Sequence, residues 1–162
     1  MRKAAVVLSA AALVLGATGL AAQAAPSFAG KWTMVADPNA APAGGRGGRG
    51  GLGQEATIVQ DGKTLTVTRP TPNGEMKSVY NLDGSESKNT MTFGENSIDQ
   101  LSKAKWDGGM LMITTSSSFN GNTFESTMSM SLDAAGNLVV NSTMPARGGG
   151  PPTTTKMTYR KS

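Results

Sequence analysis

The feature that most restricts this chain is a strict alternation of apolar and polar residues, broken every 10 to 13 residues by a dipeptide suited to a tight turn. Lys63-Thr64-Leu65-Thr66-Val67-Thr68-Arg69 puts Leu65 and Val67 on one side of an extended backbone and three Thr on the other. Phe124, Met128, Met130 and Leu132 repeat the pattern, with Glu125, Thr127, Ser129 and Ser131 between them. β-Branched Thr favours extended backbone while its hydroxyl tolerates water, which suits the wet face of a one-sided sheet. The punctuation is Asp61-Gly62, Asn73-Gly74, Asp83-Gly84, Asp107-Gly108 and Asn120-Gly121, with Ala134-Ala135-Gly136 as a longer turn. Asn and Asp tolerate left-handed backbone and Gly occupies it freely, so these pairs predict hairpins.

The spacing leaves room for a strand and a turn but not for a crossover helix. Strands are expected at 30–36, 55–60, 63–69, 76–82, 88–93, 97–106, 110–116, 122–132, 137–144 and 153–161, and no segment beyond residue 24 carries a helical period. The fold class is therefore all-β: an antiparallel up-and-down meander of about 8–10 strands. Because such a meander leaves two edges unless it closes on itself, a barrel is expected.

Residues 1–24 stand apart. Arg2 and Lys3 precede an apolar run from Ala4 to Leu15, shorter than the ~20 residues a spanning helix needs, and Ala22-Gln23-Ala24 supplies an A-x-A cleavage site. We read 1–24 as a signal peptide cut after Ala24, 25–162 as a single β-barrel domain, and the destination as periplasmic or secreted. Cleavage leaves 138 residues with a net charge of +2, too small for a strong attraction to nucleic acid or an anionic surface. Leu, Ile, Val and Phe are only 20 of those 138, so the core must be thin and helped by Met. Cys and His are both absent, which excludes disulfides, zinc fingers and Cys- or His-based nucleophilic catalysis.

Two stretches, 37–53 and 145–152, are rich in Gly, Arg and Pro and read as mobile loops. Arg-Gly-Gly sequence also occurs in RNA-binding tails, but the first stretch has two Arg and no aromatic, and the export signal argues against nucleic acid.

The domain opens on Phe28-Ala29-Gly30-Lys31-Trp32. Here the chain resembles the lipocalins and the related intracellular fatty-acid-binding proteins, whose first strand carries a Phe-x-Gly-x-Trp or Gly-x-Trp motif. The resemblance implies that Trp32 plugs the narrow end of a barrel, that Gly30 lets the chain pass close by, and that a cation of the closing strand covers the ring. Arg160, in Thr158-Tyr159-Arg160-Lys161, is assigned that structural role with Gly30, although strand phase leaves Lys161 open. Met157 stands two residues before Tyr159, where the intracellular proteins carry a carboxylate-anchoring Arg, and a loop replaces the helical lid after strand one.

Alternation nominates Trp32, Met34, Leu65, Val67, Tyr80, Met91, Phe93, Met112, Phe124, Met128 and Met130 as inward, ligand-lining residues, with Val79 competing against Tyr80. Met110 with Met112, and Met128 with Met130, share a face and offer soft thioethers, yet without His or Cys they read as core filler rather than a metal site. The acidic residues fall in turns or on wet faces, and nothing in the spacing of Ser102, Lys103 and Lys105 singles out a nucleophile. The expectation is a monomeric, non-enzymatic, cofactor-free carrier of a small apolar molecule. The alternative is a filled barrel or sandwich that serves as a structural or interaction module of the envelope.

Overall fold

A computed structural model describes residues 25–35, 51–72, 74–93, 96–119, 121–145 and 150–162, without the side chains of Phe93 and Phe119. The expected signal segment and most of the 37–53 loop lie outside the described residues, as do 146–149 of the second loop.

Ten strands form in chain order: β1 Gly30–Met34, β2 Glu55–Gln60, β3 Thr64–Thr71, β4 Gly74–Asn81, β5 Glu86–Phe93, β6 Asn96–Asp107, β7 Met110–Phe119, β8 Asn122–Leu132, β9 Leu138–Met144 and β10 Thr153–Lys161. They build one antiparallel sheet in the order β4-β3-β2-β1-β10-β9-β8-β7-β6-β5. Every sequential pair except β4 and β5 is joined by a ladder, and β1 also pairs with β10, where Trp32 faces Lys161 and Met34 faces Tyr159. The result is an up-and-down meander wrapped into a nearly closed barrel, as the turn series predicts.

The barrel closes at the seam between β4 and β5 through a side chain. Asn89 is buried; its Oδ1 accepts from Val79 N–H at 2.8 Å and its Nδ2 donates to Val79 C=O at 3.0 Å. An Asn carboxamide has the same donor and acceptor as a peptide group, so it pairs with Val79 much as a neighbouring strand would. Asn81 adds a bond from its Nδ2 to Glu86 C=O at 3.0 Å.

Turn chemistry follows the expected dipeptides with one difference. Gly74, Gly84, Gly108, Gly121 and Gly136 adopt positive φ, but Gly62 does not. At Asp61-Gly62 the carboxylate does the work instead: Asp61 Oδ1 accepts from the N–H groups of Lys63 and Thr64 at 2.7 and 2.6 Å, making an Asx turn that needs no left-handed residue.

Alternation gives the barrel two ends of different composition. At the base lie the β2–β3, β6–β7 and β8–β9 hairpins and the β4–β5 connection, together with residues 25–29. The rim carries the other hairpins and the connection into β2. Large apolar side chains concentrate toward the base: Phe28, Trp32, Ile58, Leu65, Leu111, Leu138 and Tyr159 are each no more than 2% exposed. Each fully buried aliphatic residue among them contributes roughly 1.5–3 kcal/mol, so most of the hydrophobic stabilisation sits in this half.

Candidate functional site

The base is sealed by the Phe-x-Gly-x-Trp segment. Trp32 is fully buried, and its Nε1–H donates to Phe28 C=O at 2.8 Å, so burying the indole leaves no polar atom unpaired. Phe28 stacks on Trp106 with ring centroids 5.6 Å apart. Gln60 ties the crossing chain down, accepting from Phe28 N–H at 2.8 Å and donating to Pro26 C=O at 3.1 Å.

Lys161, not Arg160, covers the indole: its Nζ lies 5.6 Å from the Trp32 ring centroid. Arg160 pairs with Thr33 on the outer parity and is exposed, so the structural role assigned to it is corrected. Strand phase decides this, because Trp32 and Lys161 are direct cross-strand partners. Gly30 has a matching reason to be glycine: its φ is +142°, and a Cβ there would lie 2.6 Å from Lys161 Cε. The small residue makes room for the lysine stem that reaches the ring.

Above the base, the inward faces change character. Ser87, Ser102, Thr115 and Ser126 are successive cross-strand partners on β5 to β8, and Asn89, Gln100 and Ser117 form a second row beside them. Their groups bond to one another: Ser87 Oγ donates to Ser102 C=O at 3.2 Å, Gln100 Nε2 donates to Ser117 Oγ at 3.1 Å, and the Ser102 and Thr115 hydroxyls lie 2.8 Å apart. Ser78 and Ser142 are also buried. On the facing wall, Arg69 continues the inward parity of Leu65 and Val67. Its Nη1 donates to Gly51 C=O at 2.8 Å and its Nη2 to Met76 Sδ at 3.1 Å.

The chain just before β2 turns inward here. Gly51 and Leu52 are buried; Leu52 joins the core, and its N–H donates to the Tyr159 hydroxyl at 3.1 Å. A Cβ on Gly51 would collide with the Met157 thioether. Burial pushes the Tyr159 hydroxyl above its ordinary range, opposed by the Leu52 bond and the Arg69 charge. Burial likewise raises Tyr80, again against Arg69.

The expected lining residues divide between these regions. Trp32, Leu65, Val67 and Met130 are buried in the packed core. Met34, Tyr80 and Met128 pack against that core while half-buried. Met91 is half-buried on the inward parity of Asn89, and Phe124 sits on the inward parity at the rim, 36% exposed. The side chain of Phe93 lies outside the described residues. Met112 is a correction: Leu111 and Ile113 are the buried residues of that strand, and Met112 points outward between Lys105 and Ser129. Met110-Leu111-Met112-Ile113 is apolar at every position, so alternation is silent there. Sequence reasoning also missed Arg69, whose signal was its place two residues beyond Val67. Asn89 and Leu52 carried no comparable signal.

Outside the barrel, a shallow groove runs between Gly62–Thr64 and Asn81–Ser85 at the base. Leu82 N–H donates across it to Lys63 C=O at 2.8 Å, and Asp83 is engaged by Ser85, so the groove reads as two base turns in contact rather than as a site. Among the described residues no group of three or more His, Cys, Asp or Glu could hold a metal ion, and no helix is long and apolar enough to cross a membrane. No family model matches the chain, and no curated protein matches it at a significant level, so the functional reading rests on the barrel's own residues.

Proposed function

We propose that this protein is a non-enzymatic carrier that holds a small, largely apolar molecule in the rim half of its barrel. The observation that carries the reading is the size of the inward side chains there. A barrel of ten strands is wider than the eight-stranded barrels that side chains just fill, so its interior needs large residues if it is to be solid. Toward the rim it has Ser102, Thr115, Ser117, Ser126 and Ser142 instead. Small hydroxyl-bearing walls, with the flexible thioethers of Met91 and Met128 between them, suit an adaptable pocket. The reading includes export, with the mature chain starting at Ala25 and acting in the periplasm or outside the cell.

Native mass spectrometry of protein purified from its producing cells without detergent tests this. The expected result is a chain starting at Ala25 with an added mass that is lost on unfolding, and displacement of that mass by neutral apolar dyes. A bare chain that binds no such dye would replace the carrier with a filled barrel acting through its outer face.

A further inference from the structure

Among the described residues, one charge on the inside of the barrel has no carboxylate beside it. Inward parity on the described strands includes two charged side chains: Lys161, which is exposed and covers Trp32 at the base, and Arg69. Every Asp and Glu on a described strand lies on the outer parity or at a strand end, and the one ion pair among the described residues, Lys88 with Asp99, is on the outside. Arg69 therefore has no carboxylate partner among the described residues. Its guanidinium has five N–H donors, of which two are engaged, one by a neutral carbonyl and one by a thioether. A half-buried guanidinium gains more from an anion than from either, because charge-assisted bonds are stronger than neutral ones.

Resting on the carrier reading, we propose that Arg69 selects ligands that bear an anionic group, and that this group takes the place of the Gly51 carbonyl on the guanidinium. The bond from Arg69 Nη1 to Gly51 C=O helps hold Gly51 and Leu52 inside until the anion replaces it. The ligand's apolar part lies toward Met128 and Tyr80, and its anion exchanges with the backbone carbonyl. Binding in this way loosens the segment at Leu52, whose remaining latch is its N–H bond to the Tyr159 hydroxyl.

The test compares two dyes that share one ring system, anilinonaphthalene sulfonate and the neutral phenylnaphthylamine, on the full mature protein and on Arg69→Gln and Arg69→Lys. Arg69→Gln should weaken the sulfonate about tenfold or more while leaving the neutral dye within about twofold; Arg69→Lys should keep most of the sulfonate affinity. Amide exchange at Leu52 should accelerate with the sulfonate and not with the neutral dye. Equal loss of both dyes in Arg69→Gln, with thermal stability retained, would make Arg69 a structural latch and overturn the proposal while leaving the carrier reading intact. Loss of sulfonate affinity in Arg69→Lys equal to that in Arg69→Gln would also overturn it, since charge would then not be what is read. If the unaltered protein binds neither dye, the carrier reading fails and this proposal with it.

Discussion

The base and the rim half of this barrel are made from the same strands with the same alternation, yet they bury opposite kinds of residue. At the base, Phe28, Trp32, Leu111, Leu138 and Tyr159 fill the interior, and the polar atoms caught among them are satisfied by backbone: the indole by Phe28, the Gln60 amide by Phe28 and Pro26. Toward the rim, Ser102, Ser117 and Ser142 are just as inaccessible, but they add little apolar area. The base holds most of the large apolar side chains, and the rim half closes with small hydroxyl-bearing ones. A chain with few large apolar residues has spent them where they close the barrel rather than spreading them evenly.

The largest expected effect that would break this contrast is at Trp32. Trp32→Ala should cost ~3–5 kcal/mol in urea denaturation, because a buried ring and its hydrogen bond are both lost. A loss below about 1 kcal/mol would mean that the base is not the packed half.

Asn89→Ala is the next largest. It leaves the Val79 N–H and C=O without their partners at the seam and should cost about 1–3 kcal/mol, with faster amide exchange at Val79. Unchanged exchange at Val79 would show that the seam closes by other means.

A matched pair of enlargements sharpens the comparison directly. Ala104→Leu, in the packed core, should cost about 1–3 kcal/mol through overpacking, whereas Ser117→Leu near the rim should change stability by less than that and weaken dye binding. Equal costs at both positions would mean that the rim half is as full as the base.

The smallest effect concerns pH. The Asp61 carboxylate is held below its ordinary 3.8 by the backbone N–H groups of Lys63 and Thr64. The Ser85 hydroxyl, helped by its backbone N–H, lowers Asp83, and the Asn137 side chain and N–H lower Asp133. These residues sit in three of the base turns. A carboxyl whose value is depressed on folding contributes stability that is present in full above the unfolded value and is lost as pH falls through the folded one. With no His or Cys to titrate, the thermal midpoint should be flat from about pH 5 to 8 and fall below about pH 4, with exchange rising first at the base turns. A decline that begins above pH 5 would place the acid-sensitive groups elsewhere.

Most of the fold was legible because period-two alternation and Asx-Gly turns are local signals. β3 could be read from Leu65 and Val67 alone, and the ten strands fall within a few residues of where the turns predict them. Local signals stopped where the pattern had no contrast or the partner was distant. Met110 to Ile113 is apolar at every position, so the inward pair could not be chosen. The outward placement of Arg160 and the choice of Lys161 depended on cross-strand register, which residues on β10 cannot set without β1.

By itself, then, the sequence determined the strand succession and the all-β class, since both follow from backbone preference and nearest-neighbour periodicity. Only the tertiary structure decided that a side-chain amide bridges the β4–β5 seam, that Leu52 turns into the barrel, and that Arg69 faces the interior with no acid beside it among the described residues. Those three facts join residues 10, 107 and 18 positions apart in the chain, and no periodicity within one strand carries information about what closure brings to the opposite wall.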